Sequence, residues 1–146
     1  MTLRPRGLLA LLVGAALLTG CGGASASGTE SGSATETVSL RVSGGIAGVQ
    51  RGIDVSPGGE VFVTGRGGAR ESADPLSPAE SEELDTLVAA VDFDDLPSRS
   101  VSESSMDRFE YRLQYGGHTL VTDKSEDLGP VDDLISHLNS CMQKRG

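Results

Sequence analysis

Apolar and polar residues alternate with a period of two in several stretches of this chain, the mark of half-buried β-strands. Val38, Leu40 and Val42 alternate with Ser39, Arg41 and Ser43. After Gly44-Gly45-Ile46-Ala47-Gly48, the alternation resumes with Val49, Arg51, Ile53 and Val55 against Gln50, Gly52 and Asp54. Further on, Phe109, Tyr111, Leu113 and Tyr115 alternate with Glu110, Arg112 and Gln114. Gly116-Gly117 reads as a two-residue hairpin turn, whose register puts His118, Leu120 and Thr122 on the face of Tyr115, Leu113 and Tyr111. Pro57-Gly58-Gly59 is turn chemistry ahead of a short strand over residues 60–64. Residues 65–74, with their glycines and arginines, and the polar residues 98–107 read as loops.

Two stretches follow the helical period instead. Leu84, Leu87, Val88 and Val91 fall at i, i+3, i+4 and i+7 behind a capping box: Ser77 as N-cap, Pro78 in the first helical position and Glu80 three residues after the cap. One face of this helix is apolar and calls for a sheet to pack on. Near the end, Val131, Leu134, Ile135, Leu138, Cys141 and Met142 share one helical face. That helix starts near Gly129-Pro130, with Asp132 and Asp133 in the first turn, where the dipole favours acids. The order β-β-β-α-β-β-α demands no parallel crossover. It predicts an α+β fold: an antiparallel sheet of about five strands with two helices on one face.

The start of the chain has a different character. Arg4 and Arg6 precede an uncharged apolar run over residues 8–18, shorter than the roughly 20 residues of a membrane span and suited to a signal-peptide core. It ends in Leu18-Thr19-Gly20-Cys21, which resembles a bacterial lipobox. This implies a signal over residues 1–20 and an acyl-modified Cys21 as the first mature residue, anchored by more than one chain. Residues 21–36 hold only small or polar side chains after the cysteine and read as a flexible tether spanning roughly 20 Å. A single domain over residues 37–146 follows. The expected location is extracytoplasmic, lipid-anchored to the cell membrane. Gly22 rather than aspartate follows the cysteine, so the outer membrane is open to it in a bacterium with two.

Charge narrows the partners. The formal net charge of −9 becomes −11 once Arg4 and Arg6 leave with the signal. Phosphate backbones need Lys and Arg, so nucleic acid is excluded as a partner, and contact with the membrane is expected through the lipid anchor only. Cys141 has no partner for a disulfide and reads as a small buried hydrophobe.

Candidate chemistry is sparse. His137 and Cys141 stand at i, i+4 without a third or fourth ligand nearby, so no metal site is expected. Asp92, Asp94, Asp95 and Glu103 have the outer spacing of a calcium loop, but Leu96 and Pro97 occupy positions needing an oxygen ligand and a glycine. The serines lack a nucleophile-elbow motif. Gly65-Arg66-Gly67-Gly68 lacks the Lys-Ser/Thr of a phosphate loop. The chain reads as a non-enzyme, with no catalytic residues and no cofactor beyond the lipid on Cys21.

A strand running into Ser43-Gly44-Gly45-Ile46-Ala47-Gly48, a helix running into Asp92-Phe93-Asp94-Asp95-Leu96-Pro97, and Asp107-Arg108-Phe109-Glu110-Tyr111-Arg112-Leu113 before a closing helix together resemble the emfourin family. That resemblance covers most of the chain from Val38 to about Leu138. It implies a small protein inhibitor of protealysin-like, thermolysin-type (M4) zinc metalloproteases, here of a secreted one. The loop Gly44, Gly45, Ile46, Ala47 and Gly48 then becomes the protease-contact candidate. Ile46 would fill the pocket that such proteases keep for a large apolar side chain just after the scissile bond. The alternative is a non-inhibitory envelope lipoprotein or binding module of the same fold, with Ile46 closing the end of the core. The two readings differ in whether Ile46 points out or in.

Overall fold

The structure is a computed structural model and describes residues 34–104 and 107–146. Cys21 and the expected signal and tether up to residue 33 lie outside the described residues. The elements are β1 (Val38–Gly44), β2 (Val49–Val55), β3 (Val61–Thr64), β4 (Arg70–Ala73), α1 (Pro78–Ala90), β5 (Arg99–Ser100), β6 (Phe109–Tyr115), β7 (His118–Thr122) and α2 (Pro130–Gln143). They form an α+β fold with one sheet in the order β4-β3-β2-β1-β6-β7-β5.

This differs from the expected sheet in two places. Residues 65–74 contain the edge strand β4, which pairs antiparallel with β3 from Val61↔Ala73 to Thr64↔Arg70. Residues 98–107 contain β5, which pairs parallel with β7 through Arg99↔Val121 and Ser100↔Thr122, so the sheet is mixed rather than wholly antiparallel and has seven strands rather than five. Both additions are edge strands. Neither has an alternating apolar face of its own, because an edge strand is held by its ladder more than by burial.

The core lies between the sheet and the helices. Val38, Leu40 and Val42 of β1, Ile53 and Val55 of β2, Val61 and Val63 of β3, and Leu113 and Leu120 of the last hairpin face Leu134, Ile135 and Leu138 of α2. The hairpin register is as predicted, with Leu113↔Leu120 and Tyr115↔His118. Helix α2 lies over β1 and β2, while α1 packs chiefly along α2 rather than directly on the sheet. Only Leu84 and Val88 of α1 are buried, a narrower face than the spacing predicts.

The helices are tied by polar contacts as well. Ser77 Oγ accepts from Glu80 N at 3.2 Å and Ser77 N donates to Glu80 Oε2 at 2.9 Å, completing the capping box. The same Glu80 receives Lys144 Nζ at 2.9 Å and Arg145 Nη2 at 2.7 Å from the end of α2. Arg145 also donates to the carbonyls of Asp74 and Pro75. Hydrogen bonds from Arg145 and Lys144, with the Ser77 amide, hold the Glu80 carboxyl far below the usual carboxylate range.

The other face of the sheet carries no helix. There Asp54 is 5 % exposed, beneath Arg41 at 2.8 Å and Arg70 at 3.0 Å. Burial alone would raise its pKa, but hydrogen bonds from Ser39, Arg70 and Arg41 outweigh that and hold it below the ordinary value. Arg70 lies 3.6 Å over the Phe62 ring, a cation–π contact. Arg41 runs across Gly52, where a Cβ would stand 2.5 Å from Arg41 Cδ.

Candidate protein-interaction site

The β1–β2 turn answers the orientation question: Ile46 is 92 % exposed. Its position follows from the backbone on either side. Gly44 and Val49 are the last paired residues of the hairpin. Between them, Gly48 N donates to Gly45 O at 3.0 Å, so Ile46 and Ala47 form the two apex residues of a turn. Gly44 sits at φ +106° and Gly45 at +71°, in the region that side chains disfavour. Such a backbone brings the chain against its neighbour: a Cβ on Gly44 would stand 2.6 Å from Arg108 O.

A second anchor comes from the residues leading into β6. Gly45 N donates to Arg108 O at 3.3 Å, and a Cβ on Gly45 would meet the Phe109 ring at 3.1 Å. Phe109, the first residue of its alternating strand, does not join the core. It pairs with Gly44 at the sheet end and is 40 % exposed. Ile46 and Phe109 are the large hydrophobic residues left exposed among the described residues. They stand at the same end of the sheet, one on the turn and one against its base. Sequence spacing placed Phe109 on the face of Leu113. It could not place the ring beyond the reach of the helices, since that depends on how far the sheet extends past α2.

The remaining candidates have structural partners. His137 Nε2 lies 3.0 Å from Glu80 O, its Nδ1 3.3 Å from Glu83 Oε2, and Cys141 Sγ 3.6 Å from Nε2. Burial pushes the Cys141 thiol up in pKa, leaving it an unreactive packing group. His118 Nε2 stands 3.4 Å from Asp94 Oδ1 at the opposite end of the sheet. Among the described residues no three His, Cys, Asp or Glu side chains are placed to hold a metal ion. A cavity of about 690 Å³ opens beside the β1–β2 turn between Val49, Arg51, Arg66, Glu71 and Met142.

The five residues Gly44 to Gly48 therefore form one exposed, doubly pinned turn. Arg108 and Phe109, which the strand pattern did not single out as part of the site, supply its base. The run of glycines does not reveal them, since Gly116 and Gly117 share consecutive positive φ angles without a close backbone neighbour. The sheet order, which sets β6 beside Gly44, brings Arg108 and Phe109 to the turn. No protein-family model matches this chain, and no curated protein matches it.

Proposed function

We propose that this chain is a lipid-anchored extracytoplasmic inhibitor of a secreted thermolysin-like (M4) zinc metalloprotease. The supporting observation is Ile46, a large apolar side chain 92 % exposed at the apex of a pinned turn. A single exposed isoleucine is ordinary on a protein surface; what sets Ile46 apart is its place at the apex of a pinned turn with exposed Phe109 at its base. In this reading Ile46 enters the protease pocket that takes a large apolar residue after the scissile bond. The glycines on both sides let the two backbones approach closely. The ladder at Gly44–Val49 and the bond to Arg108 limit how far the turn can distort, which lowers the ordering cost of binding. Phe109 adds apolar area at the edge of the contact.

The proposed anchor agrees with this arrangement. The described chain starts at Ala34, near the start of β1, and Ile46 follows the end of β1. The turn thus projects from the end of the sheet opposite the side where the tether would join. Acylated Cys21 would hold the domain at the membrane, with the turn presented outward.

Titration of residues 22–146 against a purified thermolysin-like protease tests the proposal. Wild type is expected to inhibit with a dissociation constant between nanomolar and micromolar. Ile46→Asp is expected to lose at least about tenfold in affinity, or 1.4 kcal/mol, while its melting temperature stays that of wild type. A folded wild-type chain without any inhibition would refute the protease reading and leave the non-inhibitory binding module in its place.

A further inference from the structure

The strand pairings define one continuous row across the open face of the sheet: Arg70, Thr64, Gly52, Arg41, Arg112, Val121 and Arg99, one residue from each strand. Paired residues point to the same side, so the four arginines of this row share the helix-free face. At about 4.8 Å between strands the row is about 29 Å long. Arg41 and Arg112 are direct cross-strand partners, an arrangement of like charges that weakens a sheet. Most of these guanidinium groups are held in place. Arg41 is fixed by Asp54 and by the carbonyls of Leu40 and Ile53, Arg70 by Asp54 and Phe62, and Arg99 by Glu110 at 3.5 Å. Arg112 is exposed.

We infer that this row is a second docking surface, which takes an acidic polypeptide segment of a partner protein. On this face Arg41, Arg70, Arg99 and Arg112 stand against Asp54 and Glu110, which leaves an excess of positive charge there on a chain whose net charge is −9. Guanidinium groups held in fixed positions suit carboxylates, which they bind in a planar, two-pronged fashion. A lipid surface fits the geometry less well. Ala34 N is bonded to Asp85 of α1 at 2.9 Å, so the described chain begins on the helical side, away from the arginine row. A bilayer plane would also meet Asp54 and Glu110 among the arginines, whereas a discrete partner can place its carboxylates between them. The inference does not require that the partner be a protease.

The test uses residues 22–146, which hold the entire described fold, and a synthetic peptide of about nine residues, enough at ~3.3 Å each to cover the row, with glutamate at alternate positions. Arginine Nε–H resonances are followed by NMR. The peptide is expected to move the signals of Arg41, Arg70, Arg99 and Arg112 while leaving Arg66 and Arg108 in place. The paired substitutions Arg99→Gln and Arg112→Gln should weaken binding at least about tenfold. Arg112→Gln alone should leave the melting temperature unchanged or higher, since it removes a like-charge pair. A lower melting temperature would mark Arg112 as structural and count against the inference. Equal peptide binding by the double variant, shifts confined to Arg66 and Arg108, or no binding at about 1 mM peptide would overturn it. So would preferential binding to phosphatidylglycerol vesicles, which would make the face a lipid-docking surface. Because the readout involves neither a protease nor Ile46, its failure is separate from failure of the inhibitor reading.

Discussion

At Gly44 a positive φ and a close carbonyl coincide: φ is +106°, and an added Cβ would stand 2.6 Å from Arg108 O. Gly44→Ala is therefore expected to destabilise the domain by about 1–3 kcal/mol, the usual cost of such a strained residue, read as a fall in the denaturant midpoint. At Gly48 a Cβ would meet nothing within 4 Å. Gly48→Ala carries only the φ penalty, about 1–2 kcal/mol. Ile46 behaves oppositely: exposed as it is, Ile46→Ala should leave stability within about 0.5 kcal/mol of wild type. The glycine run shows in the sequence that this backbone is special. It does not reveal the direction of Ile46, because a turn apex can tuck in or project out with the same residues. What decides is how far the sheet extends past the helix ends, a tertiary quantity with no local signature. Asp54 is a second case. The alternation of β2 puts it on the solvent side, yet it is buried by arginines arriving from β1 and β4.

Among the elements, the joint between α1 and α2 brings together Glu80, Lys144 and Arg145. Glu80 caps the start of α1 and receives both Lys144 and Arg145, with Arg145 bridging onward to Asp74 and Pro75. Glu80→Gln keeps the shape but removes the charge, and should cost about 1.5–3 kcal/mol at pH 7, the range for hydrogen bonds to charged groups. The pH dependence has a definite sign. The folded-state pKa of Glu80 is depressed, so its contribution is complete above the unfolded value of about 4.3 and fades as pH falls below it. Wild type and Glu80→Gln should therefore keep their full difference above about pH 5 and converge in chemical denaturation only as the pH falls well below about 4, toward the depressed folded-state pKa. Both helices, their start residues and the capping box of α1 are legible in the sequence because capping and the 3.6-residue period are local rules. The clasp is not, since Glu80 and Arg145 are brought together only by the way α1 lies along α2. Strands β4 and β5 were illegible for a related reason. Arg70-Glu71-Ser72-Ala73 and Arg99-Ser100 bury little, and their partners β3 and β7 define them as strands.

Across the whole molecule, the anchor proposed at Cys21 would set where the acidic domain sits. The acylation proposed at Cys21 makes a direct prediction: Cys21→Ser should move the chain from the membrane fraction to the soluble extracytoplasmic fraction without altering its inhibition of a dissolved protease. A variant that stays membrane-bound would refute the anchor. The α+β class was legible in the order of alternating and helical stretches. The arginine row was not, because it emerges only when seven strands are set in register. One last consequence concerns mechanical load. Strand β1 is hydrogen-bonded on both sides, to β2 and to β6, and runs from the side where the tether would join to the exposed turn. If a partner held at Ile46 drifts while the other end is fixed, the pull runs along β1, perpendicular to two ladders of hydrogen bonds. Because both points of attachment would lie on β1 itself, the load passes along its already extended backbone and leaves the ladders on either side nearly unstrained, so the strand between the proposed anchor and the turn can bear tension without being peeled from the sheet.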